Sequence, residues 1–248
     1  MIIVGDIGNT DTKICLINFN DKIIKRTILN TNKISHKSLK KSLSSFNIKK
    51  NIIKKILFCS VVPKAFINIK SFFKKNHNLK CFEFKELKLN SLVNIKVNYK
   101  QIGSDRLANA IGVMDKKNNY IILDFGTATT FDVLIKKTYH GGVIAPGLKL
   151  SLNTLINQAT LIPNIDLKKT TKVLGLNTVS AVRSGFFWGY IGLIDNIVDL
   201  IKKETKKSFK IIITGGFSDL FKNSLKSKVI LNKDITISGL IKVSNLIK

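Results

Sequence analysis

One strand-turn motif occurs twice in this chain, about half its length apart. Residues 2–14 read IIVGDIGNTDTKI and residues 121–133 read IILDFGTATTFDV. Each copy is a β-branched apolar run, then Asp-x-Gly, then small hydroxyl residues, then a second apolar run. Asp6 matches Asp124, and Gly8 matches Gly126. A repeat of this length implies a duplicated supersecondary unit. The natural division is into halves at 1–118 and 119–248. No Pro-, Ser- or Gly-rich linker separates them, so the halves are expected to pack closely.

The rest of the sequence reads as mixed α/β. In the first half, strands are expected at about 2–6 and 12–19, with a further turn at Asn20-Asp21. Lys-rich amphipathic spacing predicts a helix over 39–55, and Ile56 to Val62 reads as a buried strand closed by Pro63. Short helices are expected over 66–75 and 105–117. In the second half, a hairpin over 120–136 leads to Gly141-Gly142. Helices follow at about 148–158 and 178–203, and the strand Ile211-Ile212-Ile213 ends at Thr214-Gly215-Gly216. Strand pairs followed by helices suggest mixed sheets with helices outside.

Composition narrows the function classes. The chain has 248 residues, is 44% hydrophobic and carries a net charge of +27, so it can bury a core and is not disordered. A charge this large invites a nucleic-acid or membrane reading. Yet only three of its 42 basic residues are Arg (Arg26, Arg106 and Arg183), and Lys is scattered everywhere beside Ile and Asn. That is a drift of the whole sequence, not a patch built for phosphodiesters. Three cysteines without a CxxC pair point to a reducing, cytoplasmic setting. His36, His77 and His140 lack zinc-ligand spacing. No signal-peptide core or membrane-spanning run is evident.

Five segments carry chemistry. A strand ending in Asp6-Ile7-Gly8-Asn9-Thr10-Asp11-Thr12-Lys13 suits a phosphate: glycine admits close backbone approach, the hydroxyls donate, and turn N–H groups form an anion-binding concavity. Asp6 could hold Mg²⁺ through water, and Lys13 could reach a phosphate. The copy at 124–132 has three Thr in four positions, including Thr127; two such turns facing each other would grip a triphosphate. Gly103-Ser104-Asp105-Arg106 precedes a helix. Ser104 or Asp105 could serve there as an N-cap, or Asp105 as a general base beside an oxyanion-binding Arg106. Gly141 to Gly147 reads as a strand into a tight turn before a helix, and Thr214-Gly215-Gly216 as a strand followed by a glycine turn. Finally, Gly185, Gly189 and Gly192 lie in a helix rich in aromatics. Each costs about 1 kcal/mol relative to Ala, which implies close approach of another backbone, either within the chain or across a homodimer.

Together these motifs resemble the type III pantothenate kinases, of the sugar kinase, Hsp70 and actin superfamily. The resemblance spans nearly the whole chain: DIGNTDTK (6–13), GSDR (103–106), DFGTATTFD (124–132), GGVIAPG (141–147), GLNT (175–178) and TGG (214–216). It implies an α/β fold of two ribonuclease-H-like (actin-like ATPase) domains with mixed sheets and an interdomain cleft. The first half would carry the first phosphate motif and the catalytic Asp, the second half the second phosphate motif and a dimerisation helix. The implied reaction moves the γ-phosphoryl group of ATP to the 4′-hydroxyl of pantothenate, opening coenzyme A synthesis. Asp105 would accept the proton, and Gly103, Ser104, Asp105, Arg106 and Thr178 would contact pantothenate. Residues 6–13 and Thr127 would hold ATP, and Asp124 would bind K⁺ or NH₄⁺. The resemblance further implies a cytoplasmic homodimer binding neither nucleic acid nor membrane. Family members usually carry Tyr nine residues before the catalytic Asp; here that position is Lys96, and Tyr99 is the candidate replacement ring. Arg183 also falls where an uncharged residue is usual. Other small-molecule kinases of the superfamily and a basic accessory protein remain alternative readings.

Overall fold

The computed structural model describes residues 1–49 and 51–247. Their contacts divide the chain into two units. One comprises Met1–Met114, Lys137–Tyr139 and Asp234–Lys248; the other comprises Asp115–Lys136 and His140–Lys233. The final segment therefore groups with the first unit.

In the first unit, β1 (Ile2–Ile7), β2 (Asp11–Ile17), β3 (Ile23–Asn30), β4 (Lys55–Ser60) and β5 (Phe82–Glu83) form a sheet of order β3-β2-β1-β4-β5. β1 runs antiparallel to β2 and parallel to β4. The apolar run of β1 is central: Ile3, Val4 and Ile7 are completely buried, as expected of a strand covered on both faces. Helices α1 (His36–Ser42) and α2 (Pro63–His77) cover the sheet, and α3 (Ser104–Val113) closes the segment. Pro63 takes the first helical position and Asn78 ends α2 in the left-handed region, the usual places for these residue types. The short β6 (Asn94–Ile95) pairs with Thr138 and Tyr139.

The second unit repeats this plan. β7 (Asn119–Phe125), β8 (Ala128–Ile135), β9 (Thr138–Pro146), β10 (Lys210–Gly215) and β11 (Val229–Leu231) stand in the order β9-β8-β7-β10-β11. β7 is antiparallel to β8 and parallel to β10, so β7 corresponds to β1 and β10 to β4. Helices α4 (Leu148–Gln158), α5 (Thr178–Thr205) and α6 (Ser218–Phe221) follow. Their core includes Phe125, Phe131, Phe187, Ile194 and Phe221, with Phe221 stacked between Phe125 and Phe187 at 5.2 and 5.8 Å.

Two expectations change. The helix expected over 39–55 is shorter and starts earlier. A reciprocal Ser35–Ser38 capping box opens it at His36, and Asn47 adopts the left-handed conformation after a single 3₁₀ turn at Ser44–Phe46. The apolar spacing is real, since Leu39, Leu43, Phe46 and Ile53 are all buried, but the Ser-Ser pair and Asn47 break the helix. Lys50, within that expected helix, lies outside the described residues. The second change is α7 (Ile235–Ser244), which no motif announced.

That last helix packs on α3 at backbone distance. A Cβ on Gly239 would stand 1.9 Å from the Ala108 carbonyl oxygen. The Lys242 ammonium donates to the carbonyls of Ile111 and Gly112 at 3.0 and 2.9 Å, and Arg26 pairs with Asp234 at 2.6 Å. Gly239→Ala is therefore expected to destabilise the protein by about 1–3 kcal/mol. Urea titration should show a lower midpoint at unchanged slope.

Candidate active site

In the first unit the site is built on the end of β1. The Gly8 N–H donates to the Asp11 carbonyl at 3.1 Å, closing a tight turn that leaves Asn9, Thr10 and Asp11 exposed. The turn is tied down by Thr31, which the sequence reading did not single out. Its hydroxyl donates to the Gly8 carbonyl at 2.7 Å and lies 2.9 Å from the Thr12 hydroxyl. Its N–H donates to the Thr10 carbonyl at 2.9 Å. Thr12 is completely buried, so its hydroxyl serves the turn, and the exposed residues and half-buried Lys13 are the ones open to a ligand. No motif signals Thr31, because the contact exists only once β3 lies beside β2.

Asp6 stands directly opposite Lys13 on β2 and beside Cys59 on β4. The Cys59 thiol donates to its carboxylate at 3.3 Å. Burial, then the charge of Asp105, pushes the Asp6 carboxyl up to about 6, against the opposing effects of Cys59 and Lys13. Asp105 sits in the first turn of α3. Its carboxylate folds back on the helix start and accepts the Arg106 N–H at 2.8 Å. A Cβ on Gly103 would meet that carboxylate at 2.4 Å, so glycine leaves room for it. Burial raises the Asp105 carboxyl, while backbone N–H groups and the Arg106 charge oppose the shift. The structure thus brings Asp6, Lys13, Gly103, Ser104 and Asp105 together, with Cys59 as an unforeseen neighbour.

In the second unit two glycine segments converge on the second turn. The Gly126 N–H donates to the Ala128 carbonyl at 3.1 Å, leaving Gly126 and Thr127 exposed. Gly147 lies so close that a Cβ there would stand 2.0 Å from the Thr127 carbonyl oxygen. Gly215 adopts φ +86°, and a Cβ on it would lie 2.7 Å from the Asp124 carboxylate. The Gly216 N–H donates to the Phe125 carbonyl at 3.1 Å. GGVIAPG and TGG therefore form the walls around DFGT.

The remaining predicted residues lie elsewhere in their units. Tyr99 starts a 3₁₀ turn ahead of α3; its hydroxyl donates to the Lys85 carbonyl at 3.1 Å, and the Lys85 ammonium lies 5.1 Å from its ring centre. Lys96 is exposed. Thr178 is exposed at the first position of α5, behind an Asn177–Ser180 capping box. The Arg183 guanidinium donates to the Asp166 carbonyl at 2.9 Å.

Among the described residues no group of three or more His, Cys, Asp or Glu could hold a metal ion. The donor chemistry instead suits ions that bring other ligands. Asp6 offers one carboxylate, compatible with Mg²⁺ held through water on a nucleotide. Asp124 offers one carboxylate, packed against Gly215, and the Gly126 and Thr127 carbonyls pack against Gly147; a carboxylate and carbonyl oxygens are donor types compatible with a singly charged cation.

The fold is that of the actin-like sugar kinases. It matches, for example, an inorganic polyphosphate/ATP-glucomannokinase from Arthrobacter (TM-score 0.51, 13% identity, 98% of each chain). The ethanolamine utilization protein EutJ of Carboxydothermus hydrogenoformans aligns with TM-score 0.56 at 13% identity, covering 96% of this chain and 88% of that one. Sequence narrows the class. The model of the type III pantothenate kinases matches residues 2–200. A type III pantothenate kinase of Pelagibacter ubique is 71% identical over 248 residues, the full length of both chains, and one of Finegoldia magna is 34% identical, covering 100% of this chain and 98% of that one. The chain belongs to the type III pantothenate kinase family.

A carboxyl whose folded pKa is raised favours the folded state most below its unfolded value, and loses that contribution as pH rises through about 6. Metal- and nucleotide-free Asp6→Asn is therefore expected to be more stable than wild type at pH 8, by up to roughly 3 kcal/mol. The gap should close as pH falls towards about 4, near the unfolded pKa. Denaturant titrations across this range measure it; a pH-independent gap would show that Asp6 is not perturbed by burial.

Proposed function

We propose that the protein transfers the γ-phosphoryl group of ATP to the 4′-hydroxyl of pantothenate, the first step of coenzyme A biosynthesis, with Asp105 as the proton acceptor. The observation that carries the assignment of Asp105 is its carboxylate, half-buried at a helix start and close enough to Asp6 to raise that group. A raised carboxyl is a better base near neutral pH.

Asp105 accepts the hydroxyl proton as the pantothenate oxygen bonds to the γ-phosphorus; the bond from that phosphorus to the β,γ-bridging oxygen breaks, and ADP leaves. Phosphoryl transfer asks a protein mainly for positioning and charge stabilisation. The turn at residues 6–13 holds the phosphates with its exposed N–H and hydroxyl groups and Lys13, and Thr127 contributes from the second turn. Asp6 would hold Mg²⁺ through water, and the ion would neutralise the β- and γ-oxygens. Asp124 would hold K⁺ or NH₄⁺. Gly103, Asp105, Arg106, Thr178, Tyr99 and, through its main chain alone, Ser104 receive pantothenate, with Tyr99 taking the part of the ring absent at Lys96.

The protein works as a cytoplasmic homodimer joined along α5. One face of α5 packs Phe187, Ile194 and Val198 into the core. Among the described residues, and apart from the helix's own neighbouring backbone, a Cβ at Gly185, Gly189 or Gly192 would meet nothing within 4 Å. Leu174 and Leu176, just before α5, are 83% and 90% exposed. This uncovered apolar surface supports a second copy over contact within the chain. Among the described residues no helix is long and apolar enough to cross a membrane.

ATP turnover should depend on added pantothenate in K⁺ buffer. Asp105→Asn is expected to lower kcat by roughly 10²–10⁴-fold with ATP binding retained; more than half the activity remaining would remove Asp105 from this role. Equal rates in Na⁺ and K⁺ would remove Asp124 from the cation site, and a monomer in light scattering would remove the dimer.

A further inference from the structure

We propose that Ser104 is a positioning residue that aligns Asp105 by bolting the start of α3 to the end of β4, and that its hydroxyl does not contact substrate. The inference rests on the proposed role of Asp105 and assigns a task to its neighbour.

Ser104 is 1% exposed, and its hydroxyl is used in both directions. It donates to the Ser60 carbonyl at 2.8 Å and accepts the Ser60 N–H at 2.9 Å. Ser60 is the last residue of β4 and stands beside Ile7 in the parallel ladder. The β4–β5 pairing has ended two residues earlier, at Phe58 and Glu83. The outward backbone groups of Ser60 therefore have no strand to pair with, and the Ser104 hydroxyl takes that place. The Ser60 side chain does not compete, because it accepts the Val62 N–H at 3.1 Å.

The residue before Ser60 holds the other acid: Cys59 donates its thiol to Asp6 at 3.3 Å. Two consecutive residues of one strand thus fix the element carrying Asp6 and the element carrying Asp105. Ser104 supplies α3's side chain in that linkage, and Asp105 follows it directly. A shift of the helix start would move the base relative to the attacking hydroxyl, and a misplacement of about 1 Å can cost about 100-fold in rate.

The test compares Ser104→Ala, Ser104→Cys, Asp105→Asn and the Ser104→Ala/Asp105→Asn double variant, by steady-state kinetics with ATP and pantothenate, calorimetric ATP binding and thermal melting. Ser104→Ala is expected to lower kcat about 10–100-fold, leaving KM for pantothenate and Kd for ATP within about twofold. Ser104→Cys, which keeps a weak donor and acceptor, should fall between. On the Asp105→Asn background Ser104→Ala should have little further effect, because there is no base left to align. A raised KM for pantothenate at unchanged kcat would make Ser104 a substrate contact and overturn the inference. So would an equal loss on both backgrounds, the mark of a purely structural role. If Ser104→Ala does not fold, Ser104→Cys decides: wild-type kcat in the folded protein overturns the proposal, and a reduced kcat at unchanged KM supports it. An active Asp105→Asn enzyme would instead refute the proton-acceptor reading, whereas normal Ser104 variants beside an inactive Asp105→Asn would refute only the positioning role.

Discussion

Two half-buried carboxylates, close enough for the charge of one to raise the other, are the constraint on which the first unit's site depends. Asp6 and Asp105 are both raised by burial, and the charge of Asp105 raises Asp6 further. Such a pair is costly to ionise in a protein interior. The surroundings answer with donors and positive charge: a thiol and a lysine at Asp6, helix-start N–H groups and an arginine at Asp105. Backbone N–H groups at a helix start are suited to this because they are fixed in place and need no counter-carboxylate. The cost is thus concentrated where a base and a phosphate-bound cation would act, as in sites whose function requires perturbed groups.

The duplicated sheets show how one scaffold came to hold two different turns. In both units a central strand ends in Asp-x-Gly, flanked by an antiparallel partner and a parallel one. Beyond that, the copies differ. Opposite Asp6 the ladder places Lys13; opposite Asp124 it places Thr130. Beside Asp6 stands Cys59, and beside Asp124 stands Thr214. The first turn is secured by the hydroxyl of Thr31, the second by the carbonyls packed on Gly147. At the matching position after each turn, Thr12 finds the Thr31 hydroxyl, while the buried Thr129 hydroxyl has no hydrogen-bond partner among the described residues. Charge on the first turn and neutral backbone on the second are what would suit them to different ions.

Much of this was legible from residues that act locally. Asp-x-Gly between two β-branched runs is a hairpin whatever surrounds it, so β1, β2, β7 and β8 could be placed from the sequence, as could α4 and α5. What escaped was tertiary. α7 carries no cap or motif of its own and is defined by its seat on α3, where Gly239 meets Ala108. Thr31, Cys59 and Ser60 act through strand neighbours separated in sequence by tens of residues. The short β5, β6 and β11 contribute two or three residues each, too few to show a period. Over 39–55 the amphipathic spacing pointed to one continuous helix, but a short helix and a 3₁₀ turn bury Leu39, Leu43 and Phe46 instead, because both conformations can bury the same side chains.

The arginines test a different inference. In a chain this rich in Lys, a retained Arg suggests an oxyanion to be gripped. Arg26 instead pairs with Asp234 at the start of α7, and Arg183 donates to the main-chain carbonyl of Asp166. Both contacts use the directed N–H groups of a guanidinium, which an ammonium on a flexible stem does not reproduce. Rarity of Arg therefore marks places where geometry matters, and two of the three such places are structural. Arg106 is distinguished by its position instead. It follows Asp105 in the first turn of α3, its N–H is bound by the Asp105 carboxylate, and its charge moderates that group's burial. A residue bound into the base by its backbone and coupled to it by charge would have a part in the reaction's electrostatics even without touching a phosphate.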